Sequence, residues 1–273
     1  MKMHNIIVIP VYKQVISKWE EMSLRQCCKV LSAHVISLVT FAELDCSVFY
    51  KIAEEYKVKL LRENFDSSYF AGLAGYNRLL ISRNFYQRFS RYDYMLIYQL
   101  DAYVFRDELD AWCAKGYDYI GAPWFEKYKS YEEGAALWRV GNGGFSLRRI
   151  KTFINILNDN NPILGCKALY DRYNERPTFV KLWDILKSLT GWHNNIIYYV
   201  QEYEGQEDLF WTQYLPSLGI ELRMPHPIQA ISFSMEKSPA YLYALNGNKL
   251  PFGCHAWQKY EYNTFWKQYI SLL

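Results

Sequence analysis

The sequence lacks the features that mark several broad classes of protein. Its 273 residues contain no run of about 18 consecutive apolar residues, so we expect no membrane-spanning helix. The apolar run at 6–11 is too short for the core of a signal peptide, and no small-residue cleavage site follows it. The net charge is only +3, and the absence of a basic tract argues against nucleic-acid binding. We therefore expect a cytoplasmic protein, which could also act at the inner face of the membrane.

Cysteine pairs of the metal-binding type are also missing. The six cysteines lie at 27, 28, 46, 113, 166 and 254, and no two of them form a C-x-x-C pair. This spacing fits neither a zinc site nor a disulfide framework, so we expect six free thiols. The sequence also has no internal repeat and no interdomain linker, which favours one domain.

Aromatic residues are abundant instead. They make up 18% of the chain, with 25 Tyr, 15 Phe and 9 Trp. Tyr and Trp combine a flat apolar face with a hydrogen-bonding edge, and sugars present the same two kinds of surface. The composition suits a carbohydrate site, and it equally suits an aromatic core.

Short apolar runs alternate with amphipathic segments from the beginning of the chain. The predicted strands are 5–11, 35–40, 58–61, 94–98 and 117–120, and the predicted helices between them are 17–31, 47–56, 69–82 and 107–115. Such alternation predicts an α/β fold with a mostly parallel central sheet and helices on both faces. In the second half we predict a strand, a hairpin turn and a strand over 137–147, and helices over 150–157, 178–189, 207–218 and 261–272.

One acidic residue follows the most apolar predicted strand. Asp101 comes three residues after the run YMLIY, and in a parallel sheet this position lies at the edge where ligands bind. Gln99 and Asp101 are two residues apart, so both point to the same side of an extended segment. A carboxylate here can hold a hard divalent cation, and it can equally cap the following turn.

Several motifs along the chain are together similar to one enzyme family. The segments YQLDAYVF, DYIGAPW, VGNGGFSLR, EDLFW and PFGCHAW occur in this order. They resemble GT-A glycosyltransferases, most closely an uncharacterised domain family regarded as glycosyltransferases. The resemblance implies one domain over 1–273. Residues 1–125 would form a nucleotide-binding half and residues 126–273 an acceptor-binding half, with a helical excursion near 158–200.

The resemblance implies a metal site and a base. Asp101 takes the second place of the family's Asp-x-Asp motif, and Gln99 stands where many GT-A enzymes have the first aspartate. His255 matches the C-terminal histidine that completes the metal site in several GT-A families. The expected cofactor is a divalent cation, Mn²⁺ or Mg²⁺. Asp208, with Glu207 as the second choice, matches the base of inverting enzymes.

The resemblance also implies positions for the donor substrate, a nucleoside-diphosphate sugar. The residues expected to bind it are Pro10, Val11 and Tyr12 at the nucleobase, Arg78 at the diphosphate, and Trp124, Asn142, Gly143 and Gly144 at the sugar and acceptor. The expected reaction is sugar transfer to a glycan or another hydroxyl acceptor, in surface glycan synthesis. Two alternatives remain, namely a non-catalytic carbohydrate- or nucleotide-binding protein and a nucleotidyltransferase.

Overall fold

A computed structural model describes residues 3–270 of the chain. Its centre is a six-stranded sheet in the order β3-β2-β1-β4-β9-β6. These strands are β1 Asn5–Pro10, β2 Val35–Thr40, β3 Leu60–Asn64, β4 Tyr94–Tyr98, β6 Tyr119–Ile120 and β9 Phe145–Arg149. β9 is antiparallel to both of its neighbours, β4 and β6, and the other pairs are parallel. The sheet is therefore mostly parallel, as predicted.

Helices cover both faces of this sheet. The helices of the first half are α1 Lys18–Val30, α2 Ser47–Glu55, α3 Leu73–Leu80, α4 Arg83–Arg88 and α5 Leu109–Ala114. Side chains of β1 alternate between two cores: Ile7 and Ile9 pack with α1, α2 and α5, whereas Ile6 and Val8 pack with α3 and α4. This alternation is the two-residue period of a strand that is buried on both faces. The predicted α/β class is confirmed.

The second half of the chain is mainly helical. Its helices are α6 Ile150–Asn158, α7 Cys166–Arg172, α8 Thr178–Ser188, α9 Ile196–Glu202, α10 Glu207–Leu209, α11 Leu215–Ser217, α12 Pro227–Ala230 and α13 Pro239–Leu245. One π-helical turn, Phe210–Tyr214, joins α10 to α11. None of the helices within residues 3–270 combines the length and the apolar character that crossing a lipid bilayer requires. All six cysteines are free, and five of them are buried.

Two small sheets complete the fold. One has the order β10-β11-β5, formed by β10 Ser234–Met235, β11 Gly253–Cys254 and β5 Tyr103–Val104. β11 pairs antiparallel with β5, so the segment 253–255 lies beside the segment that leaves β4. The other pairs β7 Pro123–Phe125 with β8 Leu137–Val140.

Three local predictions are wrong. Residues 137–147 form no hairpin, because β8 pairs with β7 while β9 inserts between β4 and β6. The predicted helix 69–82 is broken at Gly72, whose φ of 88° is outside the helical range. In place of the predicted helix 261–272, the described residues form turns and a 3-10 turn at Trp266–Gln268, and 271–272 lie outside the described residues. The side chains of Phe265 and Trp266 are buried in a third core, and this packing overrides the helical pattern.

Candidate active site

The carboxyl end of β4 carries the first group of polar side chains. The backbone N–H of Gln99 donates a hydrogen bond to the Gly144 carbonyl at 2.8 Å, and the Ala102 N–H donates to the Gln99 carbonyl at 2.9 Å. The chain turns there, and Gln99 and Asp101 remain at the edge of the sheet. The side-chain amide of Gln99 donates to the Tyr76 hydroxyl at 2.8 Å, which leaves its Oε1 facing His255.

His255 joins this group from the far end of the chain. Its Nε2 lies 3.1 Å from Asp101 Oδ1 and 3.2 Å from Gln99 Oε1, and its Nδ1 lies 3.2 Å from Glu236 Oε1. Pairing of β11 with β5 brings the imidazole to this position. Gln99 Oε1, Asp101 Oδ1 and His255 Nε2 therefore lie close together. All three are atoms that can donate an electron pair to a metal ion, and we call them the three converging donors.

The charges at this point are strongly coupled. Burial acts to lower the pKa of His255, but attraction to the Asp101 and Glu236 carboxylates outweighs it and raises the pKa to about 10. Burial acts to raise the pKa of Asp101, but the neighbouring imidazolium outweighs it and lowers that pKa. A protonated Nε2 can donate to Asp101 Oδ1 at 3.1 Å and to Gln99 Oε1 at 3.2 Å.

The three donors fit a divalent cation. Ligands about 2.1 Å from an octahedral cation lie about 3 Å from one another, which matches the separations of 3.1 and 3.2 Å found here. A cation would take the place of the His255 proton. Only one of the three donors is a carboxylate, and within residues 3–270 no group of three or more His, Cys, Asp or Glu could hold a metal. A cation here would need further ligands, such as the oxygens of a diphosphate.

Two cavities meet at these residues. The first has a volume of about 470 Å³, and aromatic rings and the segment after β1 surround it. Its lining includes Pro10, Val11, Tyr12, Phe49, Tyr69, Phe70, Leu73, Tyr76, Gln99 and Asp101. Its size is that of a small-molecule site, and its walls are mainly apolar.

The second cavity, of about 480 Å³, is more polar. Its lining includes Tyr76, Gln99, Trp124, Asn142, Gly143, Gly144, Glu207, Asp208, Glu236, Lys237 and His255. Leu73, Tyr76 and Gln99 line both cavities, so the two are adjacent. The amide oxygen of Asn142 is buried and has no hydrogen-bond partner within the described residues. A ligand hydroxyl in this cavity could satisfy that oxygen.

Asp208 is the accessible carboxylate at the start of α10. Its Oδ2 accepts from the Gly143 N–H at 3.2 Å, and its Oδ1 accepts from the Leu209 N–H at 2.9 Å. Burial raises the pKa of Asp208, and the two N–H donors oppose this shift only in part. A carboxylate with a raised pKa is a stronger base than an ordinary aspartate.

Glu207 has a different environment from its neighbour. It is buried, and its Oε1 accepts from the Arg148 guanidinium at 2.8 Å. Burial raises the pKa of Glu207 to about 7, although the Arg148 charge opposes the shift. Arg148 also donates to the Tyr86 hydroxyl at 2.9 Å and to Ser146 Oγ at 3.1 Å. Arg148 and Glu207 thus connect β9 to α10, and the contact with Tyr86 connects Arg148 to α4.

Two glycines allow the backbone to approach these side chains. A Cβ on Gly143 would lie 1.8 Å from Glu207 Oε1, and one on Gly144 would lie 2.0 Å from His255 Nε2. Both distances are below any van der Waals contact, so neither position has room for a side chain. The Gly-rich segment after β8 is therefore required by close approach at the site, and not by a hairpin turn.

Removing Arg148 should destabilise the whole protein. Arg148→Met leaves the Glu207 carboxylate buried without its counter-charge, and breaking a buried pair in this way costs about 3–5 kcal/mol. For a chain of this size we expect the melting temperature to fall by roughly 10 °C. Thermal unfolding followed by circular dichroism measures this change.

Arg149 is the matched control, because it is the next residue and is exposed. Arg149→Met should change the stability by no more than about 0.5 kcal/mol. Equal melting temperatures for the two variants would contradict the structural role of the Arg148–Glu207 pair.

The structure brings most of the predicted site residues together. Twelve of the thirteen line the two cavities; these are Pro10, Val11, Tyr12, Gln99, Asp101, Trp124, Asn142, Gly143, Gly144, Glu207, Asp208 and His255. Arg78 is exposed on α3 and lines neither cavity.

Some site residues were missed by the sequence analysis. Tyr76 has the appearance of an apolar position on a helix, and Glu236 lies in no recognisable motif. Arg148 belongs to a short basic cluster that is typical of a solvated face, yet the structure buries it completely. The one available signal was that Arg148 ends the motif VGNGGFSLR.

Comparisons with known proteins give a family and a set of similar folds. Residues 59–255 match the model of a family described as protein of unknown function (DUF5672). No curated protein sequence matches the chain.

Solved structures similar to the chain include three glycosyltransferases. The apo form of the glycosyltransferase GlyE from Streptococcus pneumoniae TIGR4 is 14% identical, with 92% of this chain and 54% of that chain covered and a TM-score of 0.45. Mouse xyloside xylosyltransferase 1 is 9% identical (93% and 97% covered, TM-score 0.48). Core-mannan synthase A from Aspergillus fumigatus, in its Mn/GDP form, is 11% identical (75% and 70% covered, TM-score 0.40). The chain spans about half the length of GlyE, and at these scores the likeness carries no information about the reaction.

Proposed function

The chain belongs to the DUF5672 family of proteins of unknown function, and we propose that it is a glycosyltransferase. The proposed reaction moves a sugar from a nucleoside-diphosphate donor to a hydroxyl acceptor. One observation carries the proposal: the donor atoms of Gln99, Asp101 and His255 converge where an apolar cavity and a polar cavity meet. A nucleotide sugar has the matching order of a flat base, a charged diphosphate and a polar sugar.

Each part of the donor is assigned to one region. The nucleobase and ribose would occupy the first cavity, between the segment after β1 and the rings of Phe49 and Phe70. The sugar would occupy the second cavity, within reach of the unpartnered amide oxygen of Asn142 and beside the Trp124 ring. The diphosphate would lie between them, at Gln99, Asp101 and His255.

The leaving nucleoside diphosphate carries negative charge that the site would have to stabilise. A divalent cation, Mn²⁺ or Mg²⁺, would stabilise the negative charge that develops on the leaving nucleoside diphosphate. Asp101, His255 and Gln99 would hold it, and Glu236 would orient the imidazole through its Nδ1. Tyr76 fixes the Gln99 amide so that its oxygen faces the same point.

Asp208 is the proposed base. In a reaction that inverts the anomeric configuration, its carboxylate would take the proton of the acceptor hydroxyl as the oxygen attacks the anomeric carbon. The Gly143 N–H holds Oδ2 in place at the floor of the second cavity. Glu207 is engaged with Arg148 and is therefore assigned a structural role. If the configuration is retained, Asp208 becomes a group that binds the substrate.

A non-catalytic protein that binds nucleotides or sugars is the second candidate. The observation that favours it is the single carboxylate among the three converging donors, since Gln99 adds no charge. A catalytic site usually hydrolyses its donor slowly when no acceptor is present. Release of nucleoside diphosphate from a nucleotide sugar in water therefore separates the two candidates.

A thermal-shift screen tests the proposal most directly. Nucleoside diphosphates and their sugars are added with and without Mn²⁺ to the wild type and to Asp101→Ala. At ligand concentrations 100-fold above Kd, binding to the native state should raise the melting temperature by about 5 °C or more. We expect a shift for at least one base, and only when both Mn²⁺ and Asp101 are present. If nucleotides raise the melting temperature without Mn²⁺ and also in Asp101→Ala, the cation site is contradicted. If no nucleotide or nucleotide sugar raises it at millimolar concentration, the donor site is contradicted.

A further inference from the structure

Helix α8 buries several polar side chains, together with Ile185, which packs in a small core with Leu169 and Tyr173. In a helix packed on a soluble protein the apolar side chains face inward. In α8 the inward positions include Lys181, Asp184 and Ser188, which are all buried. Asp184 accepts from Arg176, and Ser188 lies 2.9 Å from the Tyr173 hydroxyl. These polar contacts fix the orientation of the helix.

The outward positions of α8 are large and apolar. Phe179 is 83% exposed, Leu186 60% and Trp183 55%. Leu182, at 53%, lies on the same face, and Trp192, just beyond the helix, is 41% exposed. We call these five residues the outer face of α8. A continuous apolar face of this kind on a soluble domain marks a surface that is covered by something else.

One cation lies within this face. Lys187 Nζ is 5.2 Å from the centre of the Trp183 ring and 5.1 Å from that of Trp192. Within α8, all of which the structure describes, the only acidic residue is Asp184, and it is buried. The outer face therefore combines aromatic rings and leucines with a positive charge and without a helix carboxylate.

We propose that the outer face of α8 binds the surface of an anionic phospholipid bilayer. Trp and Phe rings are favoured at the membrane interface, leucines enter the acyl region, and lysine reaches lipid phosphates. α8 would lie in the plane of the interface with its buried polar side held by the protein. This role is independent of the reaction proposed for the cavities.

The charge of the face favours a bilayer over a second copy of the chain. A two-fold dimer uses the same patch on both subunits, so it would press two faces that each carry Lys187 against one another. Desolvating an ammonium without a partner is costly. Lipid phosphates supply a counter-charge for Lys187. They lie at the membrane surface, where a lysine ammonium remains when the apolar side chains beside it are buried in the lipid.

Vesicle flotation of the full chain tests the proposal. The protein is mixed with vesicles of phosphatidylcholine alone or of phosphatidylcholine with phosphatidylglycerol. We expect binding to the anionic vesicles and much weaker binding to the neutral ones. The double variant F179S/W183S should lower the partition coefficient about tenfold or more, because it removes two inserted rings. K187E should lower binding to anionic vesicles about fivefold or more at low salt.

The control is V15S/L245S, which changes two exposed apolar residues outside the outer face of α8. It should bind like the wild type. All of the substituted side chains are exposed or lie at the surface, and circular dichroism checks that each variant is folded. Unchanged vesicle binding of F179S/W183S would overturn the proposal. So would a wild type that binds no vesicles and forms a dimer that F179S/W183S dissociates, because the occupant would then be a second copy.

Discussion

Replacing Asp208 with asparagine is expected to lower kcat for sugar transfer by about 10²–10⁴-fold, which is the usual contribution of a general base. Asparagine has nearly the same shape and can still accept the Gly143 N–H. The substitution removes the ability to take a proton, and because an amide has only one oxygen it also removes the hydrogen bond from the Leu209 N–H. Initial rates with saturating donor and acceptor measure the change.

The affinity for the donor provides the internal check on this variant. Asp208→Asn should keep the thermal shift produced by nucleoside diphosphate and Mn²⁺, because Asp208 makes no contact with the three converging donors. Glu204→Gln, an exposed carboxylate four residues away, should keep full activity. The product should have inverted anomeric configuration by NMR. A variant with normal kcat and a raised KM for the acceptor would show that Asp208 binds substrate and is not the base.

Replacing Asp101 with asparagine should abolish the dependence on a divalent cation and lower kcat/KM by about 10²–10³-fold. The substitution removes the only carboxylate among the three converging donors and one of the two ion pairs of His255, while the pair with Glu236 remains. Stabilisation of the leaving diphosphate would be lost together with cation affinity. Mn²⁺ titrations of the transfer rate and of the thermal shift measure both effects.

Asp171→Asn is the control for this variant, since Asp171 is exposed on α7 and lines neither cavity. It should titrate with Mn²⁺ like the wild type. The two readouts separate two kinds of failure. If Asp101→Asn still binds nucleotide with Mn²⁺ and is active, the cation lies elsewhere. If the wild type transfers sugar at full rate in the presence of a chelator, no cation is needed.

The fold was predictable where strands are long and apolar. β1, β2 and β4 consist almost entirely of buried residues, and the alternating helices predicted a mostly parallel sheet. The place of β9 was not predictable. The alternating pattern of two neighbouring strands is the same whether they pair with each other in a hairpin or pair with other strands, as β8 and β9 do. The burial of Arg148 was not predictable for the same reason. Once β9 lies between β4 and β6, its alternate residues are buried on both faces, and a positive charge there needs the Glu207 partner.

The site was predictable from motifs and not from spacing. Gln99 and His255 are separated by 156 positions, and their meeting depends on β5 and β11, strands of two residues each that leave no periodic signal. Tyr76 was hidden because it takes an apolar position in the helical pattern, and only the fold brings its hydroxyl to the Gln99 amide, 23 residues later in the chain. Short pairings and backbone breaks of this kind are set by tertiary packing.

The pairing of β11 with β5 also determines the order in which parts of the fold can form during synthesis on the ribosome. The central sheet can close once β9 has been made, since its six strands all lie before residue 150. His255 appears more than a hundred residues later, so during that interval the nascent chain holds Asp101 without its imidazole partner. Phe145 also lacks a packing partner during that interval, because the centre of its ring lies 5.3 Å from that of Phe252 in the folded protein. The contact between Asp101 and His255 can therefore form only after residue 255 has been made, and the ring of Phe145 lacks its Phe252 neighbour until residue 252 has been made.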